Sequence, residues 1–167
     1  VNYIIGYGSL MKTSSRIRTN PHAEQAYPVE VKGFERVWGV HVKNYAITFL
    51  TLVRQPKAQF NAVYYPVSKQ DVDAADRREY KYCRVSVPRE NLTPLGSSVL
   101  PQGHYWVYVQ MQNRILPVSK ANPLVQSYVD VFLSACIQVG QQYALPGFAK
   151  QCVQETTGWP PVGQRGK

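Results

Sequence analysis

A glycine-rich loop near the start of the chain has the residue types of an anion-binding site. The segment Gly6-Tyr7-Gly8-Ser9-Leu10 directly follows an apolar run, Asn2–Ile5, that is typical of a β-strand. Glycines let backbone N–H groups approach a ligand closely, and the Ser9 hydroxyl adds a further donor. The loop is therefore a candidate cradle for a carboxylate or an oxyanion. The same residue types are also common in an ordinary β-turn.

A single carboxylate, Glu79, is the candidate proton carrier. Ser68-Lys69-Gln70-Asp71 has the Ser-x-x-acid form of a helix start, so Glu79 is predicted to follow a short helix and to precede a strand near Tyr82. Tyrosines flank this glutamate, and a partly apolar site raises the pKa of a carboxyl group toward the range that general acid–base catalysis needs. The alternative is a solvated glutamate that pairs with Arg77 or Arg78.

The three cysteines lack the spacing of a metal site or a disulfide framework. Cys83, Cys136 and Cys152 are odd in number and form no CxxC pair, so neither kind of site is predicted. Cys83 and Cys136 lie on predicted apolar faces, whereas Cys152 is expected to be exposed. Free cysteines favour a reducing compartment, so we expect a cytoplasmic location and no metal.

The chain is strongly basic, with 19 Lys and Arg against 10 Asp and Glu and a net charge of +9. The positive electrostatic potential that this charge produces favours anionic partners. The basic residues are scattered, Arg16, Arg18 and Arg36 among them, which predicts a basic surface rather than a nucleic-acid stripe. No apolar run reaches the roughly 20 residues of a membrane helix. We expect a small-molecule partner, no nucleic acid and no membrane; the rival interpretation is a small basic β-barrel that binds RNA or DNA.

The periodicity predicts one domain over residues 1–158 and an extended tail over 159–167. Strand-like runs lie at Asn2–Ile5, Val29–Val42, Tyr45–Val53, Phe60–Val67, Tyr82–Val87 and Gly103–Met111. Short helices are predicted at Lys12–Thr19, Val72–Arg78 and Phe148–Glu155. A long helix is predicted over Pro123–Gly140, with Asn122 as its N-cap. Its apolar face is expected to contain Val125, Val129, Phe132, Cys136 and Val139.

Three segments of the chain carry a family likeness. The first is Tyr3–Met11, which contains the glycine-rich loop. The second consists of Asn61–Val67 followed by Asp71, Val72, Asp76, Arg78, Glu79 and Tyr82. The third contains Asn122, Pro123, Tyr128, Gly140, Leu145, Pro146 and Phe148. In order and surroundings these segments resemble the gamma-glutamylcyclotransferase-like superfamily, over most of the chain from Tyr3 to about Gln154.

The resemblance implies an α+β fold, a mixed β-barrel of about six strands with flanking helices. It implies a cofactor-independent enzyme that releases 5-oxoproline when the α-amine of a gamma-glutamyl substrate attacks its own γ-carbonyl. Glu79 would be the catalytic acid and base. The implied substrate-binding residues are Tyr7, Gly8, Ser9, Leu10, Tyr82 and Tyr108.

The chain resembles two branches of the superfamily, and its residues do not decide between them. Leu10-Met11 and Arg78-Glu79 are similar to the glutathione-specific ChaC-type proteins, whereas the C-terminal helix is similar to the gamma-glutamylcyclotransferases. Lys12 and Tyr80-Lys81 depart from residues common in those branches. The substrate is therefore expected to be a gamma-glutamyl amino acid or glutathione. The alternatives are a gamma-glutamylamine cyclotransferase and a non-catalytic binding protein of the same fold.

Overall fold

The computed structural model of the chain describes residues 1–41, 45–78, 82–96, 99–110 and 115–160. Within those ranges the chain forms four α-helices and seven β-strands. The helices are α1 (Thr13–Thr19), α2 (Lys69–Arg78), α3 (Gln126–Gln142) and α4 (Phe148–Gln154). The strands are β1 (Asn2–Gly6), β2 (Tyr27–His41), β3 (Thr48–Val67), β4 (Tyr82–Val87), β5 (Leu92–Pro94), β6 (His104–Gln110) and β7 (Thr156–Thr157).

The strands of the described residues form one mixed sheet in the order β4-β6-β1-β3-β2-β5, and β7 pairs with β2 outside this path. The β1–β6 and β2–β7 pairs are parallel, and the other pairs are antiparallel. The path ends at β4 and β5, so the sheet is a curled half-barrel with helices packed on it. The expected α+β class is thereby confirmed.

The two longest strands of the sheet, β2 and β3, pair as a hairpin. Its register extends from Tyr27 opposite Tyr64 to His41 opposite Thr48, with irregularities after Lys32 and after Trp38. The prediction of two separate strands over residues 45–67 was wrong, because β3 is continuous. Its middle residues, 54–57, are exposed, and pairing with β2 on both sides of them keeps the strand intact.

Apolar side chains pack on both faces of the sheet, as strand alternation requires. Tyr3 and Ile5 of β1 belong to one apolar cluster together with Tyr64 and Tyr105. Ile4, which lies between them in the chain, belongs to the second cluster, against α3 and α4. Both faces of β1 are therefore buried, and β1 enters the glycine-rich loop from the centre of the molecule.

Helix α3 buries most of the predicted face but begins later than expected. Val129, Phe132, Cys136 and Val139 are buried, which confirms the helical spacing. The helix begins at Gln126 with Val125 as its N-cap, so the predicted start at Pro123 was wrong. The cause is a tertiary contact: the Thr48 N–H and hydroxyl donate to the carbonyls of Pro123 and Asn122 at 3.1 and 2.7 Å.

A disulfide joins Cys136 of α3 to Cys152 of α4. The expectations of free cysteines and of an exposed Cys152 were therefore wrong. The two residues are 16 positions apart in the chain, and packing of α4 on α3 brings them together. The spacing of the cysteines in the sequence does not predict this pairing. Cys83 is half-buried and free. In the described part of the chain, no helix is both long and apolar enough to cross a membrane.

The C-terminal segment that the structure describes packs against the sheet. The Trp159 ring lies 5.4 Å from the Trp38 ring, and its indole N–H donates to the Val153 carbonyl at 3.3 Å. Residues 161–167 lie outside the described ranges. The domain boundary at residue 158 stays a prediction.

Candidate active site

A cavity of about 590 Å³ opens between the end of β1, the helices α1 to α3 and the start of β4. Its lining includes all six residues predicted to bind substrate: Tyr7, Gly8, Ser9, Leu10, Tyr82 and Tyr108. The helices contribute a wall, here called the α1–α2 wall, that consists of Ser15, Arg18, Thr19, Asn20, Asp71, Ala74 and Ala75. The tertiary fold therefore brings together loop residues and tyrosines that are about 70 to 100 positions apart in the chain.

The loop after β1 forms part of the cavity lining and contains unpaired backbone donors. A single 3-10 turn over Ser9–Met11 follows Gly8, with the Met11 N–H bonded to the Gly8 carbonyl at 3.0 Å. Within the described residues, the N–H groups of Gly8, Ser9 and Leu10 donate to no protein acceptor. Consecutive unpaired N–H groups of this kind form a concavity that suits an anionic oxygen.

Gly6 allows the loop to fold back closely over the end of β1. A Cβ atom at Gly6 would lie 3.0 Å from the Leu10 Cβ and 3.2 Å from the Leu10 carbonyl carbon. Both distances are tighter than ordinary van der Waals contact. A side chain at Gly6 would therefore displace the turn that carries the N–H donors.

A fully buried arginine holds the loop from beneath. The Arg36 guanidinium donates to the Tyr7 carbonyl at 3.1 Å, and to the Asn61 backbone and side-chain oxygens at 2.7 and 2.8 Å. It also donates to the Thr156 hydroxyl at 2.7 Å and the Cys152 carbonyl at 3.2 Å. Burial lowers the pKa of Arg36 to about 10, so it stays charged at neutral pH. Arg36 thereby ties the loop to α4 and to the sheet.

A second buried arginine, Arg16 of α1, holds the other end of the loop. It donates to the carbonyls of Leu10 and Met11 at 3.2 and 3.1 Å. It also donates to the carbonyls of Ala23 and Glu24 at 2.6 and 2.8 Å. Burial lowers the pKa of Arg16. The expectation that the scattered basic residues lie on the surface was therefore wrong for both arginines.

The tyrosines of the cavity are held by hydrogen bonds that span the fold. The Tyr7 hydroxyl donates to the Tyr108 carbonyl at 2.8 Å. The Tyr108 hydroxyl donates to Asp76 Oδ1 at 2.7 Å, and the Arg84 Nε donates to the same oxygen at 3.0 Å. Burial raises the pKa of Asp76, but the bonds from Tyr108 and Arg84 outweigh it and the pKa is lowered. An ionised Asp76 thus fixes the phenol that lines the cavity.

Helix α2 begins with the predicted capping box. The Ser68 N–H donates to Asp71 Oδ2, and the Asp71 N–H donates to Ser68 Oγ, both at 3.0 Å. The Ser68 N–H lowers the pKa of Asp71 despite partial burial, so this carboxylate is ionised on the α1–α2 wall. Glu79 follows the last residue of α2 and lies outside the described residues. Its catalytic assignment stays a prediction.

The architecture can now be compared with known proteins. No family model matches the sequence, and no curated protein matches it. Among solved structures, a gamma-glutamyl cyclotransferase aligns over 99% of this chain and 93% of its own, with a TM-score of 0.65 and 13% identity. The chain has the gamma-glutamyl cyclotransferase fold. An uncharacterized protein from Homo sapiens aligns over 99% of this chain and 91% of its own, with a TM-score of 0.65 and 14% identity.

A third structure with this fold is a gamma-glutamyl cyclotransferase from yeast that is specific to glutathione. It aligns over 92% of this chain and 96% of its own, with a TM-score of 0.51 and 12% identity. At such identities the likeness concerns the fold. The gamma-glutamyl cyclotransferase fold is thus shared with structures that differ from this chain at most positions.

Two carboxyl groups, those of Glu30 and Glu155, lie near Arg36 but do not line the cavity. Burial, together with a hydrogen bond from Glu155 and the negative charge of that group, raises the pKa of Glu30 to about 8 against the opposing charge of Arg36. The raised pKa favours the protonated form of Glu30 at neutral pH. Among the described residues, no group of three or more His, Cys, Asp and Glu side chains is placed to hold a metal ion.

Sequence reasoning missed the residues that position the loop and the tyrosines. Arg36 has one signal in the sequence, since Phe34 and Trp38 lie two positions away on the same face of a strand, where a charge must find buried partners. The contact between Asp76 and Tyr108 has none, because the two residues are 32 positions apart and meet only in the folded chain, where β4 pairs with β6.

Proposed function

We propose that this chain is a gamma-glutamyl cyclotransferase that releases 5-oxoproline from a gamma-glutamyl substrate. The observation that carries the proposal is the loop over residues 6–11: Gly8, Ser9 and Leu10 line a cavity of substrate size, and their N–H groups have no acceptor among the described residues. The fold shared with gamma-glutamyl cyclotransferases supports it.

The reaction is an intramolecular acyl transfer. The α-amine of the substrate attacks its γ-carbonyl carbon, a new C–N bond closes a five-membered lactam, and the original amide C–N bond breaks. One proton leaves the attacking nitrogen and one is added to the departing nitrogen, so the products are 5-oxoproline and a free amine. No protein nucleophile takes part, and the protein supplies orientation, oxyanion stabilisation and proton transfer.

The loop serves the first two tasks. N–H groups aimed at a developing oxyanion stabilise it without reorganisation, because Arg16 and Arg36 already hold the turn in place. The Ser9 hydroxyl offers one more donor. The same loop would bind the α-carboxylate end of the glutamyl group in the folded conformation that places its amine near the γ-carbonyl.

Glu79 is proposed to transfer the proton. Its neighbours in the chain on both sides belong to elements that line the cavity, α2 through Ala74 and Ala75 and β4 through Tyr82. A single carboxylate can accept the proton from the attacking amine and return it to the leaving nitrogen. Tyr82 and Tyr108 are proposed to contact the substrate beside it.

The direct test measures 5-oxoproline from purified protein with glutathione, gamma-glutamyl-alanine and gamma-glutamyl-lysine isopeptide. Release from the first or second supports the proposal, and release from the third alone supports a gamma-glutamylamine cyclotransferase. An N-acetylated substrate serves as the control, since its nitrogen cannot attack. Binding of the substrates without any 5-oxoproline would overturn the proposal in favour of a non-catalytic binding protein.

The partner and the compartment remain predictions. A small molecule is the proposed partner, and strong salt-dependent binding of generic oligonucleotides would favour the nucleic-acid alternative. The cytoplasmic location expected from the cysteine count is weakened by the Cys136–Cys152 disulfide, which an oxidising compartment favours.

A further inference from the structure

Arg18 lies on the α1–α2 wall of the cavity in a rigidly placed helix. Helix α1 is fixed at its start by the Thr13 N–H, which donates to Gln138 Oε1 at 3.0 Å, and at its centre by the buried Arg16. Arg18 occupies the last turn of α1, where the helix dipole favours a cation. The backbone position of Arg18 is therefore set by a helix that is anchored to the rest of the fold.

Within the described part of the chain, the guanidinium of Arg18 is unpaired. Unlike Arg16 and Arg36, it has no hydrogen-bond or ion-pair partner among the described residues, and its side chain is exposed at the cavity. Arg18 and Asp71 are the two charged side chains in the cavity lining that the structure describes. Asp71 accepts a hydrogen bond from Ser68, and it forms no ion pair with Arg18.

The cavity has room for more than a glutamyl group. Its volume of about 590 Å³ is within the range that encloses drug-sized molecules, roughly 300–1,000 Å³. The loop N–H groups account for the glutamyl end under the proposed function. The remaining space must hold the half of the substrate that departs, and a planar guanidinium recognises a carboxylate there through paired hydrogen bonds.

Resting on the proposed function, we infer that Arg18 binds a carboxylate on the departing half of the substrate. It thereby makes gamma-glutamyl amino acids and peptides the preferred substrate class over gamma-glutamyl amines that lack this carboxylate.

The test uses two substrates that differ by that carboxylate alone, gamma-glutamyl-alanine and gamma-glutamyl-ethylamide. We expect Arg18→Gln to lower kcat/KM for gamma-glutamyl-alanine about tenfold or more, chiefly through KM, and to leave gamma-glutamyl-ethylamide within about twofold. Arg18→Lys should restore part of the loss. Arg54→Gln is the matched control, since Arg54 is an exposed arginine that lies over the Phe34 ring instead of the cavity.

For each substrate, the kcat/KM of the variant is divided by that of the wild-type protein. Comparing these two ratios removes the intrinsic difference between the two leaving amines. An equal loss with both substrates would place Arg18 at the glutamyl end and overturn the inference, as would unchanged kinetics with both. If the wild-type protein releases no 5-oxoproline from glutathione or from either of these two compounds, the proposed function is overturned, and the inference with it.

Discussion

The Tyr108 hydroxyl donates a 2.7 Å hydrogen bond to Asp76 Oδ1, and this bond joins β6 to α2 at the edge of the cavity. Arg84 binds the same carboxylate oxygen and lies over the Trp106 ring at 4.1 Å. Since the phenol proton is donated to Asp76, the Tyr108 side chain is held in one orientation. Asp76 is therefore a positioning residue for a tyrosine that lines the cavity.

We expect Asp76→Ala to lower kcat/KM about tenfold or more, because the hydrogen bond to a charged acceptor that orients Tyr108 is lost. In a double-mutant cycle with Tyr108→Phe, the combined loss should be smaller than the sum of the two single losses. Asp73→Ala is the control, since Asp73 is exposed on the same helix. Additive losses would show that the two residues act independently.

Glu79→Gln tests the proton transfer. The substitution preserves volume while removing basicity, so kcat should fall at least about 10²-fold with little change in the unfolding midpoint. Asp73→Asn is a suitable control for a lost carboxylate. Asp71 and Asp76 are not, because one lines the cavity and the other holds Tyr108. A variant that releases 5-oxoproline near the wild-type rate would assign the proton transfer to another group.

Gly6→Ala tests the placement of the loop. The added Cβ would press on Leu10, displacing the N–H donors, and a shift of this kind is expected to reduce kcat/KM about tenfold to hundredfold. At Gly147 an added Cβ meets no atom within 4 Å, so Gly147→Ala should retain activity. Equal kinetics for the two variants would argue against a role for the loop geometry.

The disulfide between Cys136 and Cys152 is expected to stabilise the fold by about 2–4 kcal/mol, since it closes a loop of 16 residues. Urea unfolding with and without reductant measures this difference. Cys152→Ser should lower the free energy of unfolding similarly, whereas Cys83→Ser should not, because Cys83 is free. Non-reduced peptide mapping that finds no Cys136–Cys152 link would contradict the pairing.

Stability should fall as pH rises toward 8. The pKa of Glu30 is raised by burial to about 8 in the folded protein, against about 4.3 for an unfolded glutamate, so the folded state holds a proton that the unfolded state has lost. This contribution is complete below about pH 4.3 and disappears as pH rises through 8. The urea midpoint of Glu30→Gln should therefore depend less on pH over this window. Glu90→Gln, at an exposed glutamate, should follow the wild-type curve.

Local patterns were enough to predict the elements that build the site. The capping box of Ser68 and Asp71 and the buried face of α3 depend on residues within a few turns of one another, so the sequence alone specifies them. The strand that enters the glycine-rich loop was predicted for the same reason. The family resemblance supplied the overall α+β arrangement, which the structure confirms.

Only the tertiary structure decided which side chains meet across the fold. The Arg36 guanidinium donates a hydrogen bond to the Tyr7 carbonyl, 29 positions away in the chain. The Tyr7 hydroxyl donates to the Tyr108 carbonyl, 101 positions away. The disulfide between Cys136 and Cys152 can form only because α4 packs on α3. A buried charge or polar group must be paired wherever the packed chain offers an acceptor, and packing rather than spacing determines where that acceptor lies.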